Sequence, residues 1–341
     1  MISRRHIDAR MDELESYTTH VYDDLFKYIR LIEYKLWQFN NATNLIIYND
    51  ILSRGKKRKD FHPLVSIIIP AYNGEKYLHE AIDCALAQDY DNCEIIVIND
   101  GSTDGTEKIA KSYGNKIRYY KKPNGGVSSA LNLGIKKMRG DYFAWLSHDD
   151  LIAKDHIRHL VDWVSIEGHE QDIPFSSFRI VDEKGHLNLP DTITAELHYN
   201  DFKISYAHNE LSLLQGEING GSVLIPREAF AECGTFNEDL RISQERDMWS
   251  RLIKKYHFVN IPFDTASIRI HSKRVTSTSK NIDTETDAKT LEILENIDLA
   301  TMERLFGNKI AFYENVKYFY DNHNKKVLSE AVATKLSELK N

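Results

Sequence analysis

The sequence predicts an α/β fold in which a mainly parallel sheet is flanked by helices, with a helical segment at each end of the chain. Three observations predict this fold. Short β-branched runs, at residues 65–69 and 94–98, each close on a polar turn. Between them, apolar residues recur at helical spacing over residues 76–87. Strands and helices that alternate at this spacing require βαβ crossovers, which place the strands parallel.

The composition is that of a packed globular protein. Of the 341 residues, 42% are hydrophobic and 28% are charged, which argues against a disordered chain. The formal charge of -7 argues against nucleic-acid binding through a basic surface. The chain has three cysteines, Cys84, Cys93 and Cys233. Their spacing is not that of a metal site, and three are too few for a disulfide framework. No apolar run approaches the roughly 20 residues of a membrane span, and the charged stretch at residues 1–10 lacks the apolar run of a signal peptide. We therefore expect a cytoplasmic protein.

The first segment, residues 1–60, has a helical pattern. Apolar residues recur in steps of four and three over residues 7–32, which is the heptad pattern of a coiled coil. Flanking side chains such as Tyr17 and Ile29 make this face wider than a two-stranded coiled coil needs. Packing on the chain's own domain and self-association in a bundle both remain open, and we expect a homo-oligomer.

A basic run, residues 54–59, follows this helical pattern. Such runs are usually solvated linkers. The alternative is contact with anionic lipid or with a phosphate-bearing partner. The run therefore adds peripheral contact with the inner membrane face as an alternative to a purely cytoplasmic location.

Polar residues follow three apolar strands of the central segment, residues 63–279. Their sequences are Pro70-Ala71-Tyr72-Asn73, Asn99-Asp100-Gly101-Ser102 and Ser147-His148-Asp149-Asp150. In parallel α/β sheets, ligands bind beyond the carboxyl ends of the strands. We therefore expect one site at this edge of the sheet. The last segment, residues 280–341, is again helical in pattern and carries no chemical motif, so it forms either a cap on this domain or an assembly element.

The adjacent carboxylates Asp149 and Asp150 are the most informative pair. Two such groups repel each other unless a cation or hydrogen bonds compensate. Hard divalent ions take oxygen ligands and commonly bridge carboxylates to a substrate diphosphate. The alternative is that Asp150 is the N-cap of a helix over residues 151–164. The pair alone does not decide between a metal site and a helix cap.

Two loops could contact a nucleotide. Residues 99–106 form a predicted tight turn whose hydroxyls and carboxylates suit a base or ribose, with a helix cap at Asp104 as the alternative. The pair Gly125-Gly126 allows close approach of the backbone before a helix N-terminus. That geometry suits a phosphate or a sugar, although a glycine pair alone is weak support.

Taken in order, these motifs resemble the family-two glycosyltransferases, which are inverting enzymes with a GT-A, Rossmann-like fold. The resemblance spans about residues 63–279. It is carried by Val65–Asn73, Ile96–Asp104, Asn124–Ser128, Ser147–Asp150, Gly220–Ile225, Gln244–Leu252 and Arg269–His271. No single motif is decisive, but the ordered set is highly specific.

The resemblance implies a role for each motif. The donor nucleotide would be bound by Pro70, Ala71, Tyr72, Asn73, Asp100, Asn124, Gly125 and Asp149. Asp149 and Asp150 would be the metal motif, with Asp150 the more direct ligand of Mn²⁺ or Mg²⁺. His271 would reach the metal or the diphosphate, the alternative being an ordinary surface histidine.

The chain departs from the family pattern at two places. The family commonly has Glu-Asp four and five residues before the Trp of its last motif, with the Asp as catalytic base. Here these positions are Gln244 and Glu245, so Glu245 takes the position of the base. The family often has Arg before the Asn of the helix after the glycine pair. Here Leu131 precedes Asn132, which removes a cation from the donor side.

The implied activity is transfer of a sugar from a nucleotide-diphosphate sugar, expected to be a UDP-sugar, to a hydroxyl of a glycan, glycolipid or polymer. One alternative is a sugar nucleotidyltransferase, but its glycine-rich, basic triphosphate loop is absent, since residues 70–74 contain one Gly. The other is a non-catalytic scaffold of the same fold. The intact carboxylates Asp149, Asp150 and Glu245, with His271, argue against that scaffold.

Overall fold

Two β-sheets form the centre of the computed structural model, which describes residues 45–46, 48–186, 218–272, 274, 282–322 and 325–340. The strands are β1 (Val65–Ala71), β2 (Cys93–Asn99), β3 (Arg118–Lys121), β4 (Tyr142–Trp145), β5 (Leu151–Ile152), β6 (Asp172–Val181), β7 (Leu224–Pro226) and β8 (His257–Arg269). The helices are α1 (Leu78–Leu86), α2 (Thr106–Ser112), α3 (Val127–Lys137), α4 (His156–Val164), α5 (Arg227–Cys233), α6 (Gln244–Leu252), α7 (Ile282–Asn296), α8 (Leu299–Phe306), α9 (Lys309–Asn322) and α10 (Lys326–Lys340). The predicted α/β fold is confirmed.

The larger sheet has the strand order β3-β2-β1-β4-β7. Its first four strands are parallel, and β7 pairs antiparallel with β4. The smaller sheet has the order β5-β8-β6, with β8 parallel to β6 and antiparallel to β5. The carboxyl ends of β1, β2 and β4 therefore meet at one edge of the larger sheet.

The apolar run of β1 is buried along its whole length because the sheet is covered on both faces. Successive side chains of a strand point to opposite faces. Ile67 and Ile69 accordingly belong to the core cluster that includes apolar residues of α1 and α4, whereas Ile68 belongs to the cluster that includes those of α3 and the C-terminal helices. This double coverage is why the strand reads as a continuous apolar run.

The region after Asp150 differs from one alternative that the sequence left open. Asp150 does not cap a helix, because the next residues form strand β5, in which Leu151 pairs with Ser267 of β8. Helix α4 begins only at His156, and Asp155 occupies its N-cap position. Pairing with the antiparallel strand β8 satisfies the backbone N–H and C=O groups of β5, which a longer helix would otherwise have paired within itself.

The C-terminal helices α7 to α10 share one hydrophobic core with the larger sheet. Its members include Phe143 of β4, Trp249 of α6, Leu294 of α7, Phe312 of α9 and Leu336 of α10. An amphipathic helix gains most of its stability from burying its apolar face in this way. The helices therefore cover the side of the domain that carries α6.

Most of the basic run at residues 54–59 is paired with α4 and with the turn after it. Nζ of Lys56 lies 2.8 Å from Oε1 of Glu167, and the Arg58 guanidinium donates to the carbonyl of Val164. Exposed ion pairs of this kind add little stability, typically about 0–1 kcal/mol. The contacts give the run a place on the domain surface, and membrane contact stays a prediction. Within the described ranges, none of the helices has the length and apolar character needed to cross a bilayer.

The heptad pattern of residues 7–32 lies outside the described residues, so the homo-oligomer stays a prediction. We expect that removal of residues 1–44 gives a smaller species by light scattering, with unchanged turnover because the candidate site lies later in the chain. A cut at Pro63 would instead remove Tyr48, which is buried with its ring 6.0 Å from that of Trp163. A monomeric mass for both proteins would contradict the prediction.

Candidate active site

The loops that follow β1 and β2 are joined by hydrogen bonds. The Asn73 N–H donates to Oγ of Ser102 (3.0 Å), and the Thr103 N–H donates to Oδ1 of Asn73 (2.9 Å). The next residue, Gly74, donates its N–H to Oγ1 of Thr106 (2.8 Å). Asn73 has a positive φ of 50°, a conformation that Asn adopts more readily than most residues. The two loops therefore form one surface beside the carboxyl ends of their strands.

Within the predicted nucleotide-binding residues 70–73, the side chains differ in accessibility. Pro70 and Ala71 are buried, and the Asn73 amide oxygen is already occupied by Thr103. Tyr72 is 49% exposed. An exposed aromatic ring can stack on any base, because every base has a π-face. Tyr72 is therefore the side chain of this group best placed to contact a nucleotide.

The carboxylate of Asp100 is occupied by protein groups. Its Oδ1 accepts hydrogen bonds from Nζ of Lys122 (2.6 Å) and the Gly125 N–H (3.0 Å), and its Oδ2 accepts from the Gly126 N–H (2.8 Å). The Asn124 side-chain amide donates to the Asp100 carbonyl (3.1 Å). Asp100 therefore fixes the glycine loop against β2, a role that the sequence did not reveal. Its contact with the base stays a prediction.

A cation approaches this loop from a different element than the family pattern suggests. Leu131 is fully buried, and the Asn132 amide donates to the Phe236 carbonyl (2.9 Å). The Arg241 guanidinium instead lies over Gly126, because a Cβ built on that glycine would be 2.5 Å from Nη1 of Arg241. Gly126 also has a positive φ of 89°. Both the backbone conformation and the contact with Arg241 therefore disfavour a side chain at this position.

The turn between β4 and β5 carries Asp149 and Asp150. Because β5 pairs with β8, this turn lies beside the end of β8. Nε2 of His271 is 2.9 Å from Oδ2 of Asp149, and Oδ1 of Asp150 accepts the Arg269 N–H at 2.9 Å. The His271 side chain is only 8% exposed, so the alternative of an ordinary surface histidine is wrong. Of the three residues predicted to bind the metal, Asp149 and His271 are therefore in direct contact, and Asp150 adjoins Asp149 in the chain.

The two adjacent carboxyls have opposite pKa shifts. Burial and the negative charge of Asp149 raise the pKa of Asp150. Burial also acts to raise the pKa of Asp149, but the His148 charge and the His271 hydrogen bond outweigh it and hold that pKa below its usual range. The pair therefore carries a cost of mutual repulsion that a cation would relieve.

The Arg269 side chain fixes the turn between β4 and β5 through hydrogen bonds. Its side chain is 1% exposed, and its Nε, Nη1 and Nη2 donate to the Asp149 carbonyl (2.9 Å), the Glu183 carbonyl (2.8 Å) and the Glu80 carboxylate (2.7 Å). The guanidinium also lies 4.6 Å from the ring centroid of Tyr77. The sequence placed Arg269 in a motif but gave it no role. The available signal was a charged residue at the end of a buried strand.

Glu245 lies in the first turn of α6, and its Oε1 accepts the Gly220 N–H at 3.0 Å. Burial raises the pKa of Glu245 to about 7, against the opposing effects of that hydrogen bond and of the Arg274 charge. Glu245 in turn contributes to the raised pKa of Asp150, so the two carboxyls belong to one electrostatic cluster.

Arg274 is a member of this cluster that the sequence interpretation missed. Its charge lowers the pKa of Asp149 and opposes the rise in the pKa values of Asp150 and Glu245. Its Nη1 donates to the carbonyl of Arg269 (3.3 Å). No signal marked it, because it lies in a polar stretch without motif spacing.

The other acidic residue near Glu245 is committed to packing. Asp247 is buried, with Oδ2 at 2.7 Å from Nη2 of Arg251 and Oδ1 at 2.7 Å from Nζ of Lys289. Cationic side chains thus occupy both oxygens of this carboxylate, which leaves neither open to an acceptor hydroxyl. The geometry therefore favours Glu245 over Asp247 as a general base.

Gly220 offers a test of how tightly Glu245 is placed. A Cβ there would lie 2.2 Å from Cε3 of Trp145 and 2.7 Å from Oε1 of Glu245. We expect Gly220→Ala to displace both side chains, destabilise the fold by about 1–3 kcal/mol and lower turnover. Thermal melting and turnover measure the two effects. Gly221→Ala is the control, because its Cβ would come no closer than 3.0 Å to a neighbour. Equal effects from both variants would contradict the expectation.

The acidic turn between β4 and β5 offers oxygen ligands for a divalent cation. Within the described ranges, no group of three or more His, Cys, Asp or Glu side chains has the geometry of a metal site. The chemistry of the donors nevertheless fits Mn²⁺ or Mg²⁺, because two adjacent carboxylates offer hard oxygen ligands and their repulsion needs a cation. Asp149, Asp150 and His271 are the residues that would hold it.

Comparison with known proteins supports the interpretation of the central segment. The sequence model described as Glycosyl transferase family 2 matches residues 66–234. An uncharacterized glycosyltransferase of Rickettsia conorii is 40% identical over 271 residues, which cover 77% of this chain and 43% of the relative. One from Rickettsia typhi is 38% identical over 267 residues, which cover 77% of this chain and 82% of that protein. The chain thus spans less than half of the first relative's length.

A solved structure shares the fold. S. aureus TarS in complex with UDP-GlcNAc superimposes with a TM-score of 0.56 at 18% identity, over 72% of this chain and 71% of that one. At this identity the likeness concerns the fold alone, which is the α/β fold expected from the motifs. The family match ends at residue 234, before Glu245 and His271. The roles assigned to these two residues are therefore supported by their own geometry alone.

Proposed function

The chain belongs to glycosyltransferase family 2, and we propose that it is a metal-dependent inverting transferase that moves a sugar from a nucleotide-diphosphate sugar to an acceptor hydroxyl. The proposed donor is a UDP-sugar. The proposed acceptor is a hydroxyl of a glycan, a glycolipid or a polymer. The proposal for metal dependence rests on the adjacent carboxylates Asp149 and Asp150 with His271 beside them.

The observation that carries this proposal is the position and pKa of Glu245. Its carboxyl is linked electrostatically to Asp150, and its pKa is raised to about 7 by burial. A general base works best when its pKa lies near the operating pH. Glu245 is therefore suited to accept a proton from an acceptor hydroxyl at neutral pH.

The reaction follows from these groups. The acceptor oxygen attacks the anomeric carbon as the bond from that carbon to the diphosphate oxygen breaks, and the electron pair leaves with the nucleoside diphosphate. The Glu245 carboxylate takes the hydroxyl proton during the attack. Attack on the face opposite to the leaving group inverts the anomeric configuration. A divalent cation bound at Asp149 and Asp150 would stabilise the negative charge that develops on the diphosphate.

The test is a panel of UDP-, GDP- and dTDP-sugars incubated with the full chain, with Mn²⁺ or with a chelator. We expect release of nucleoside diphosphate from UDP-sugars in the presence of the metal. Formation of pyrophosphate from a nucleoside triphosphate and a sugar phosphate would instead identify a nucleotidyltransferase. A protein that neither binds nor turns over any donor would be a non-catalytic scaffold.

The raised pKa of Glu245 predicts the pH dependence of the reaction. At pH values below its pKa of about 7, the Glu245 carboxyl is protonated and cannot accept a proton. We therefore expect kcat/KM to rise as the pH increases towards 7 and then to level off. The measurement is kcat/KM between about pH 5.5 and about pH 8.5. The residual activity of Glu245→Gln should lack this rise. A flat profile for the unaltered protein would contradict the assignment.

A further inference from the structure

The loop before α6 is held by a residue of the C-terminal helices. Oε1 of Glu285, in the first turn of α7, accepts hydrogen bonds from the backbone N–H groups of Arg241 (3.2 Å), Ile242 (2.9 Å) and Ser243 (2.9 Å). The Ser243 hydroxyl donates to the same oxygen at 2.8 Å. One carboxylate oxygen thus accepts hydrogen bonds from three consecutive backbone N–H groups, immediately before the helix that carries Glu245.

Glu285 accepts hydrogen bonds from the three residues that lead into α6, up to and including its N-cap residue Ser243. Ser243 occupies the N-cap position, but its own side chain makes no capping hydrogen bond. A carboxylate close to a helix N-terminus also interacts favourably with the helix dipole. Burial acts to raise the pKa of Glu285, but the hydrogen bonds outweigh it and hold the pKa below its usual range. Glu285 is therefore held in its charged form beside the start of α6.

Two further contacts tie α7 to the same turn of α6. Nη1 of Arg246 donates to Oγ1 of Thr290 at 2.6 Å, and Nζ of Lys289 lies 2.7 Å from Oδ1 of Asp247. Together with the Glu285 contacts, these bonds anchor the chain on both sides of Glu245. The Glu245 carboxyl itself accepts the Gly220 N–H at 3.0 Å.

We propose that Glu285 is a positioning residue for the transfer reaction, which sets the first turn of α6 so that the Glu245 carboxyl reaches the acceptor hydroxyl. This inference rests on the proposed function, since it takes Glu245 as the base. Glu285 lies outside residues 66–234, the span matched by the family model. The C-terminal helices thereby contribute to catalysis through geometry, without touching the reacting atoms.

The first test compares Glu285→Ala with Glu285→Gln in the full chain. A misplacement of about 1 Å can cost about 100-fold in rate, so we expect Glu285→Ala to lower kcat by about 10- to 100-fold with little change in donor KM. Glu285→Gln should restore most of the rate, because its amide oxygen can accept from the same N–H groups. The donor is whichever sugar nucleotide of the UDP-, GDP- and dTDP-sugar panel turns over fastest.

Asp298→Ala is the matched control. Asp298 caps α8 by accepting the Thr301 N–H at 2.8 Å, in the same helical segment but on a different helix from Glu285. Hydrogen exchange of the backbone amides of residues 241–247 is measured on all variants without donor. We expect faster exchange only in Glu285→Ala. An equal loss of kcat in Asp298→Ala, or unchanged exchange and kcat in Glu285→Ala, would overturn the proposal.

The double variant separates this proposal from the proposed function. If Glu285 acts through Glu245, then Glu285→Ala should cause no further loss of kcat in a Glu245→Gln background. The same fold-loss in both backgrounds would overturn the positioning role while leaving the base assignment intact. Full activity of Glu245→Gln alone would overturn the base assignment, and the positioning role with it.

Discussion

Glu245→Gln should lower the rate of sugar transfer by about 10²–10⁴-fold, while donor binding survives. Glutamine has nearly the same size and can still accept the Gly220 N–H, so the local geometry is preserved. It cannot take a proton from the acceptor hydroxyl at neutral pH. Steady-state transfer and calorimetric binding of the donor measure the two properties separately.

Asp247→Asn is the matched comparison for this variant. Asp247 is paired with Arg251 and Lys289, so we expect its replacement to lower thermal stability with a smaller effect on rate. If Asp247→Asn abolishes transfer in a folded protein and Glu245→Gln is mild, the alignment of the last motif is wrong.

Asp150→Asn should lower transfer by at least about 100-fold and weaken binding of Mn²⁺. The amide removes a negative charge, but its oxygen can still accept the buried Arg269 N–H. Alanine would be a poorer choice, because it leaves that donor unpaired at a cost of about 1–3 kcal/mol. Calorimetric titration with Mn²⁺ gives a readout that does not depend on turnover.

The control for the metal assignment is Asp155→Asn, which removes a carboxylate five positions further along the chain. Asp155 stands at the start of α4 and makes no side-chain capping hydrogen bond, so we expect transfer and Mn²⁺ binding to be unchanged. Full activity of Asp150→Asn in excess chelator would contradict a role for Asp150 in holding a metal.

The sequence predicted those parts of the fold that local pattern determines. The buried run of β1 and the glycine loop at residues 124–126 have signatures within a few neighbouring residues, and the motif order pointed to one edge of the sheet. Strand β5 was missed because two residues have no period, and only pairing with β8 makes them a strand.

The same limit applies to the candidate site. The adjacency of Asp149 and Asp150 is visible in the sequence, but the enclosure of His271 depends on a contact across the fold. Glu285 carries no local signal, because its partners at residues 241–243 are distant in sequence and offer backbone groups. Nearly every residue has a backbone N–H, whatever its side chain, so a sequence motif cannot indicate which N–H groups will serve as donors.

The hydrophobic core shared by the sheet and helices α7 to α10 has a consequence for the cooperativity of unfolding. Apolar side chains on both sides of residue 279 share one interior, so the C-terminal helices complete the core on that face of the larger sheet. The domain and the C-terminal helices should therefore melt in a single calorimetric transition. A chain that stops at residue 279 would expose the apolar surroundings of Trp249, and it should be recovered as an aggregate or a protease substrate.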